Sequence, residues 1–351
     1  MAVPLSILDL SPIGTGSSAQ RALRNTIDLA RLADRLGYTR YWLAEHHNIP
    51  GVASSAPEIL IGAVARETAR LRIGSGGIML PNHAPLKVVE TFRILEALYP
   101  GRIDLGIGRA PGTDQVTALA LRRSREALGA DDFPAQLGEL LAFSAGQFPE
   151  GHPFQSVRAV PIDVALPPIW LLGSSGYSAQ VAAMIGVGFA FARHINPDGA
   201  VEAMRMYREQ FTPSERLAQP HAILTTSVIC ADTNERAEEL ASSVGLSFLR
   251  LRSGRPGLLP SPEEAMAYPY TEMERAQMEA YRAHHIIGDP ATVRARLDGI
   301  IDQTGADELM VTTMVHAHEE RLHSYELLAE LFALPGAAPH RERDVTHTGF
   351  G

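Results

Sequence analysis

Polar residues capable of chemistry recur in this sequence where apolar runs stop. Glu45-His46-His47-Asn48 follows one run, Pro81-Asn82-His83 a second, and Gly108-Arg109 a third. Gly173-Ser174-Ser175-Gly176-Tyr177-Ser178 follows a fourth, Arg193-His194 a fifth, and His316 comes after the last. A histidine near its ordinary pKa can hold or move a proton at neutral pH. An arginine presents a planar fork of donors that matches a phosphate. The run GSSGYS lets a backbone approach closely and adds hydroxyl donors at Ser174, Ser175 and Ser178. It also opens a helical pattern whose first N–H groups lack partners. Taken with Arg109, these residues suit phosphate binding. The bland alternatives are an ordinary turn with serine caps for GSSGYS and a surface ion pair for Arg109. One strand-end histidine is more often structural than functional; the convergence of several points to chemistry.

Other patterns point less far. Gly106, Gly108 and Gly112 give GxGxxxG rather than GxGxxG, and Pro111 interrupts the supposed helix start. A dinucleotide fingerprint is therefore weak. Gly74, Gly76 and Gly77 lie in or at the end of a strand pattern, where glycine often marks a bulge or a close ligand. His316-Ala317-His318 has the HxH form of barrel metallohydrolases, but it follows the last strand pattern and no HExxH occurs. No metal is expected. His46 and His47 are adjacent, so along an extended backbone only one faces a pocket.

These residues need elements to position them. Apolar runs predict strands at 5–10, 41–44, 72–79, 103–107, 169–172, 189–192, 222–231 and 308–312. Continuous runs of this kind suit parallel strands buried on both faces. Helical patterns separate them at 19–36, 57–69, 85–98, 114–128, 177–185, 200–211, 234–251, 290–304 and 319–334. Ser18 can cap the first helix and Gly37 can end it. Asn82 or His83 can cap the helix containing Pro85. Eight strand–helix repeats in about 350 residues match a (β/α)8 TIM barrel, with a doubly wound open sheet as competitor. The barrel's active site would lie at the strand C-termini, where the polar residues fall. One domain is expected over 1–334. Within it, 253–286 breaks the rhythm and reads as an insertion before the last strand, a lid. Residues 335–351 read as a flexible tail.

Composition narrows the function. The 351 residues carry 31 Lys+Arg against 40 Asp+Glu, a net charge of −9, and 45% are hydrophobic. That apolar mass argues against a disordered chain. The acidic excess argues against a general nucleic-acid binder. Lys87 is the only lysine, so the positive charge is nearly all arginine. The single cysteine, Cys230, excludes an internal disulfide and fits a reducing compartment. No run of about 18 apolar residues predicts a membrane span, and the N-terminus does not read as a signal peptide. The expectation is a cytoplasmic protein.

Several motifs carry a family resemblance. LAEHHN at 43–48, IGSGGIMLPNHAPLKVVE at 73–90, GRIDLGIGRAPG at 101–112, LLGSSGYSAQVAA at 171–183 and GADELMVTTMVHAHEERLHSYELLAE near the C-terminus resemble the bacterial luciferase-like, flavin-dependent monooxygenases. The similarity runs in order up to about residue 334, and five motifs in register are specific for the family though not for a substrate. The resemblance implies a barrel that binds FMN at the strand C-termini. It implies that Arg109, Ser175 and Ser178 hold the flavin phosphate, assisted by the backbone N–H groups of Gly176 and Tyr177. It places a non-proline cis peptide at Gly76-Gly77 beside the flavin ring and His46 at the reacting flavin edge. Glu45 and Asn82 are lesser correspondences. Light-emitting members carry a reactive cysteine where this sequence has Gly108, so luminescence is not expected. The implied activity is oxygenation of a small organic substrate, aldehyde-like or otherwise apolar, with O2 and reduced FMN from a separate reductase. Relatives that use a deazaflavin leave open a dehydrogenase passing hydride to or from an alcohol or imine. A non-catalytic flavin-binding protein is a further alternative. A homodimer is implied as well, and the helix at 57–69, apolar on more than one face, is compatible with it.

Overall fold

The computed structural model describes residues 3–123 and 132–337. Its strands are β1 (Leu5–Asp9), β2 (Arg40–Leu43), β3 (Arg72–Ser75), β4 (Ile78–Met79), β5 (Ile103–Gly108), β6 (Ile169–Gly173), β7 (Gly188–Ala192), β8 (Ala222–Cys230), β9 (Ile286–Gly288) and β10 (Glu308–Thr312). Eight of them form a parallel ring in the order β1-β2-β3-β5-β6-β7-β8-β10. β10 pairs with both β8 and β1, which closes the ring and removes the open-sheet alternative. All eight expected strands are present. Their residues are nearly all buried because helices cover the outside and side chains fill the inside.

Two apolar layers result. Leu5, Ile7, Phe92, Leu105, Phe189 and Tyr325 belong to the layer between strands and helices. Leu8, Trp42, Trp170, Ala190, Ile223 and Met310 pack inside the ring. The Trp42 and Trp170 rings meet edge to face with centroids 5.6 Å apart. On the N-terminal side of this pair lies a plug of charge. Arg40 Nη1 is 2.8 Å from Asp104 and its Nε is 2.9 Å from Glu308. Arg72 Nη2 is 2.6 Å from Asp104, and the Ser6 hydroxyl donates to Glu308.

The strand expected over 72–79 is two strands. β3 stops at Ser75, the Gly76-Gly77 peptide is cis, and the short β4 resumes against β5. The approach here is too close for side chains: a Cβ on Gly106 would sit 2.1 Å from the Ser75 carbonyl oxygen.

Helix boundaries show which local signals prevailed. Helix Ala19–Leu36 is capped by Ser18, whose hydroxyl accepts from Arg21 N–H, and it ends at Gly37 with φ 89°. Helix Pro85–Leu98 corrects the expected cap: its N-cap is Ala84, without a side-chain bond. Asn82 instead lies in a 3-10 turn and donates to the Pro111 carbonyl 2.9 Å away. Helix Gln115–Arg122 takes Asp114 as its cap and ends at Arg123 with φ 59°. Its expected continuation through 124–128 lies outside the described residues. Helix Phe133–Ala145 was not expected; it buries Phe133, Leu137, Leu140 and Phe143 beside helix Pro85–Leu98.

Residues 253–286 hold helices Pro262–Ala267 and Glu272–Arg282, both packed on helix Asn234–Arg252. Ile286 then starts β9, which pairs with the end of β8. Of the expected tail, Gly336 N–H donates to the Leu36 carbonyl, and 338–351 lie outside the described residues.

Candidate active site

A cavity of about 850 Å³ opens at the C-terminal ends of the strands. Leu8, Trp42, Ala190 and Met310 of the barrel interior line it, and the strand-end loops form its rim. His46, Gly76, Arg109, Ser174, Ser175 and Ser178 all face it. Loops distant in sequence, after β2, β3, β5 and β6, are thereby brought together.

The phosphate-type cluster is built by the start of helix Gly176–Ile185. Ser175 is the N-cap in an extended conformation, with φ −149° and ψ 168°, and its side chain caps nothing. The Arg109 guanidinium lies 4.4 Å from the centroid of the Tyr177 ring, a cation–π contact that holds it over the helix start. Ser178 sits beside Gly173; a Cβ there would come 2.5 Å from the Ser178 hydroxyl oxygen. Among the described residues, neither the Arg109 guanidinium nor the hydroxyls of Ser174, Ser175 and Ser178 hydrogen-bond to protein. No Asp or Glu among the described residues lines the cavity. A cationic fork, three hydroxyls and the first N–H groups of a helix, with no nearby acid, form a donor set that fits a phosphate.

Gly76 and His46 stand elsewhere on the wall. A Cβ on Gly76 would be 2.5 Å from Leu8 Cδ1, and one on Gly77 would be 2.8 Å from the Gly106 carbonyl oxygen. Gly77, Gly176 and Tyr177 back the wall without lining it. His46 N–H donates to the Ser54 carbonyl at 3.0 Å, while its ring Nδ1 is buried without a partner. Burial pushes the His46 pKa down, so the ring is neutral at pH 7. His47 points away, as adjacency requires, and its Nε2 is 2.9 Å from Glu45. Glu45 also meets His83 Nε2 at 3.0 Å and accepts from Met79 N–H at 2.9 Å. Burial alone would raise the Glu45 pKa, but His83, His47 and the Met79 N–H together hold it below the usual value. His194 also lines the cavity, and burial pushes its pKa down to about 4.

Some expected residues play other parts. Asn82 does not line the cavity; it binds the Pro111 carbonyl and so steadies the loop that follows Arg109. At Gly108 a Cβ would be 2.7 Å from Met79 Sδ, so the methionine fills the room a cysteine would need. His316 Nε2 lies 2.9 Å from the Thr15 carbonyl oxygen and His318 Nε2 2.9 Å from Asp28. No group of three or more His, Cys, Asp or Glu among the described residues is arranged to hold a metal. On the far wall, Tyr281 and His284 belong to the segment expected as a lid, and sequence reasoning missed Phe248, Leu251 and Arg252 of helix Asn234–Arg252. They follow a plain helical pattern, and only tertiary packing brings them to the mouth.

Known proteins bear on this geometry. The family model of luciferase-like monooxygenases matches residues 3–308. A luciferase-like monooxygenase of Escherichia coli (strain K12) is 46% identical, covering 94% of this chain and 97% of its own. The N-acetyl-S-alkylcysteine monooxygenase of Bacillus subtilis (strain 168) is 36% identical, covering 93% and 98%. The crystal structure of apo-MsnO8 matches with a TM-score of 0.86 at 40% identity, covering 96% of this chain and 99% of that one. The fold alone is shared, at 19% identity and a TM-score of 0.68, with the oxygenating constituent of 3,6-diketocamphane monooxygenase in complex with FMN; coverage is 97% and 100%. It is likewise shared, at 12% identity and a TM-score of 0.65, with an F420-dependent secondary alcohol dehydrogenase; coverage is 96% and 100%.

Proposed function

Because the chain belongs to the luciferase-like monooxygenase family, we propose that this enzyme is an FMN-dependent monooxygenase acting on a small organic substrate. One observation carries the cofactor assignment: Arg109, held over Tyr177, shares a rim with three serine hydroxyls that have no protein partner among the described residues. Reduced FMN, when bound, supplies the electrons that activate O2. The overall reaction places one oxygen atom on the substrate and releases the other as water, with the flavin oxidised. Arg109 would grip the phosphate, and Ser174, Ser175, Ser178 and the N–H groups of Gly176 and Tyr177 would complete the cradle. Gly76 would leave bare backbone toward the flavin, with Gly77 behind it, and Asn82 acts indirectly by steadying the loop of Arg109. His46 is neutral and its Nδ1 is free, so it can hold or pass a proton at the oxygen in transfer. Leu8, Met79 and Met310 keep water from the reacting atoms. Segment 253–286 serves as the lid, through Tyr281 and His284.

Reduced flavin comes from a separate reductase in the cytoplasm; the diketocamphane enzyme's oxygenating constituent is likewise named as one part of a system. No helix among the described residues is long and apolar enough to cross a membrane. A homodimer would bury helix Pro57–Glu67, where Ile59 is 70% exposed. Titration with FMN and, separately, with a deazaflavin tests the cofactor. Saturable quenching of FMN fluorescence, followed by substrate-dependent O2 uptake with reduced FMN, is expected. Binding of the deazaflavin alone, with anaerobic turnover, would replace this reading by a dehydrogenase.

A further inference from the structure

We propose that the substrate is a net anion: an apolar body with one carboxylate and no free ammonium group, the carboxylate being taken by Arg252. The inference deepens the monooxygenase reading, since it concerns the same cavity. The chain as a whole is acidic at −9, yet among the described residues its cavity is lined by two arginines and by no Asp or Glu. Arg109 follows β5, whereas Arg252 ends the helix after β8, three strands further round the ring. The two guanidiniums thus serve different parts of the mouth. One phosphate accounts for Arg109 and leaves Arg252 unmatched.

The neighbours of Arg252 sharpen the point. On the same helix, Arg250 pairs with Glu264 at 2.7 Å and Arg236 with Glu239 at 2.6 Å. Facing that helix from the inserted segment, Arg282 pairs with Glu238. Arg252 has no acidic partner among the described residues. It lies 5.7 Å from the centroid of the Phe248 ring, and both side chains face the cavity. An anion delivered there meets a cation already set against an aromatic face.

The rest of the wall selects the body. Leu10, Leu251, Ala280 and Phe248 line the same cavity as Arg252, together with Leu8 and Met310 of the barrel interior. An ammonium group would find no carboxylate among the described residues of these walls and would face two guanidiniums, so a zwitterion is disfavoured. An N-acylated amino acid with an apolar side arm satisfies every condition, and so does a fatty acid. The N-acetyl-S-alkylcysteine in the name of the Bacillus subtilis relative has this build. Arg252 stands exposed at the open mouth, where solvent screens it, so the expected discrimination is roughly tenfold and not thousandfold.

Calorimetric titration tests this with two sets of probes, in protein with and without oxidised FMN. The first set is N-acetyl-S-benzylcysteine, its methyl ester and free S-benzylcysteine; the second is decanoate and decanamide. At least one acid should bind roughly tenfold more tightly than its uncharged counterpart. Arg252→Gln should abolish that ratio while leaving ester, amide and FMN affinities unchanged. Arg109→Ala should weaken FMN and leave the acid-to-neutral ratio intact. Neither acid being preferred over its neutral analogue, or a preference that survives in Arg252→Gln, overturns the proposal. A preference that persists and still depends on Arg252 in a protein that binds no FMN would retain the carboxylate site and sink the cofactor reading instead.

Discussion

The two ends of the barrel treat charge in opposite ways. At the N-terminal end Arg40 and Arg72 face Asp104 and Glu308, and both carboxylates are fully enclosed. Two positive and two negative groups cancel there. At the C-terminal end Arg109 and Arg252 face no acid among the described residues, and His46 and His194 on the wall are held neutral by burial. The same strands serve both ends. β5 contains Asp104 at its start and leads into Arg109; β2 opens with Arg40 and leads into Glu45 and His46. A buried charge destabilises the fold unless the chain itself supplies the partner. Where a ligand supplies it, the chain can leave the donors open. On the proposed reading the plug serves stability and the open rim serves binding.

Substitutions at each end should separate these properties. The largest effect is expected at the plug. Asp104→Ala leaves Arg40 and Arg72 short of a partner in an enclosed site, which should cost about 3–5 kcal/mol of stability. The urea midpoint should fall steeply, while FMN affinity of the protein that stays folded is unchanged. Arg109→Ala should do the reverse. It should cost about 2–3 kcal/mol of FMN binding, roughly 30- to 150-fold in affinity, with the urea midpoint unmoved. A comparable loss of stability in both variants would erase the distinction between the ends. His46→Ala should alter neither property much. With reduced FMN and substrate present, it should turn O2 consumption toward hydrogen peroxide at the expense of oxygenated product. Wild-type coupling in that variant would remove His46 from the chemistry.

The rim was more legible in the sequence than the plug, for a physical reason. GSSGYS and Gly108-Arg109 break apolar runs with residues that a strand end does not need, so they stand out locally. Arg40 and Glu308 are 268 positions apart and sit at the first residues of their strands, where a charge reads as an ordinary boundary. Their pairing exists only once the ring closes. Arg252 escaped notice in the same way, at the end of a polar helix that tertiary packing turns toward the mouth. The eight strands were readable because burial on both faces leaves continuous apolar runs. The break at Gly76-Gly77 was hidden inside one such run. Helix Phe133–Ala145 was missed because it opens with Phe-Pro and is apolar on several sides, which blurs the helical period.

The smallest effect concerns acid. Burial pushes both His194 and His285 down to about 4 and lowers His46 as well. For these groups the folded protein binds fewer protons than the unfolded chain, whose histidines titrate near 6.5 (roughly). Their contribution is therefore complete above the unfolded value and is lost as pH falls toward the folded one. His83 acts oppositely: burial lowers its pKa, but Glu45 raises it further, so its contribution is present below the unfolded value and fades as pH rises through the folded one. Glu45 and Asp9, whose pKa values are lowered, weaken the fold only at more acid pH. Three histidines outnumber one, so stability should decline between about pH 6.5 and 4.5, at no more than about 1.4 kcal/mol per pH unit for each proton. His194→Gln removes one of the three from the rim without touching the plug. Urea midpoints measured from pH 7 to 4.5 should then fall less steeply than in the wild type. Parallel curves would mean that His194 is not held neutral by its place in the wall, and that the contrast in charge between the two ends rests on the arginines alone.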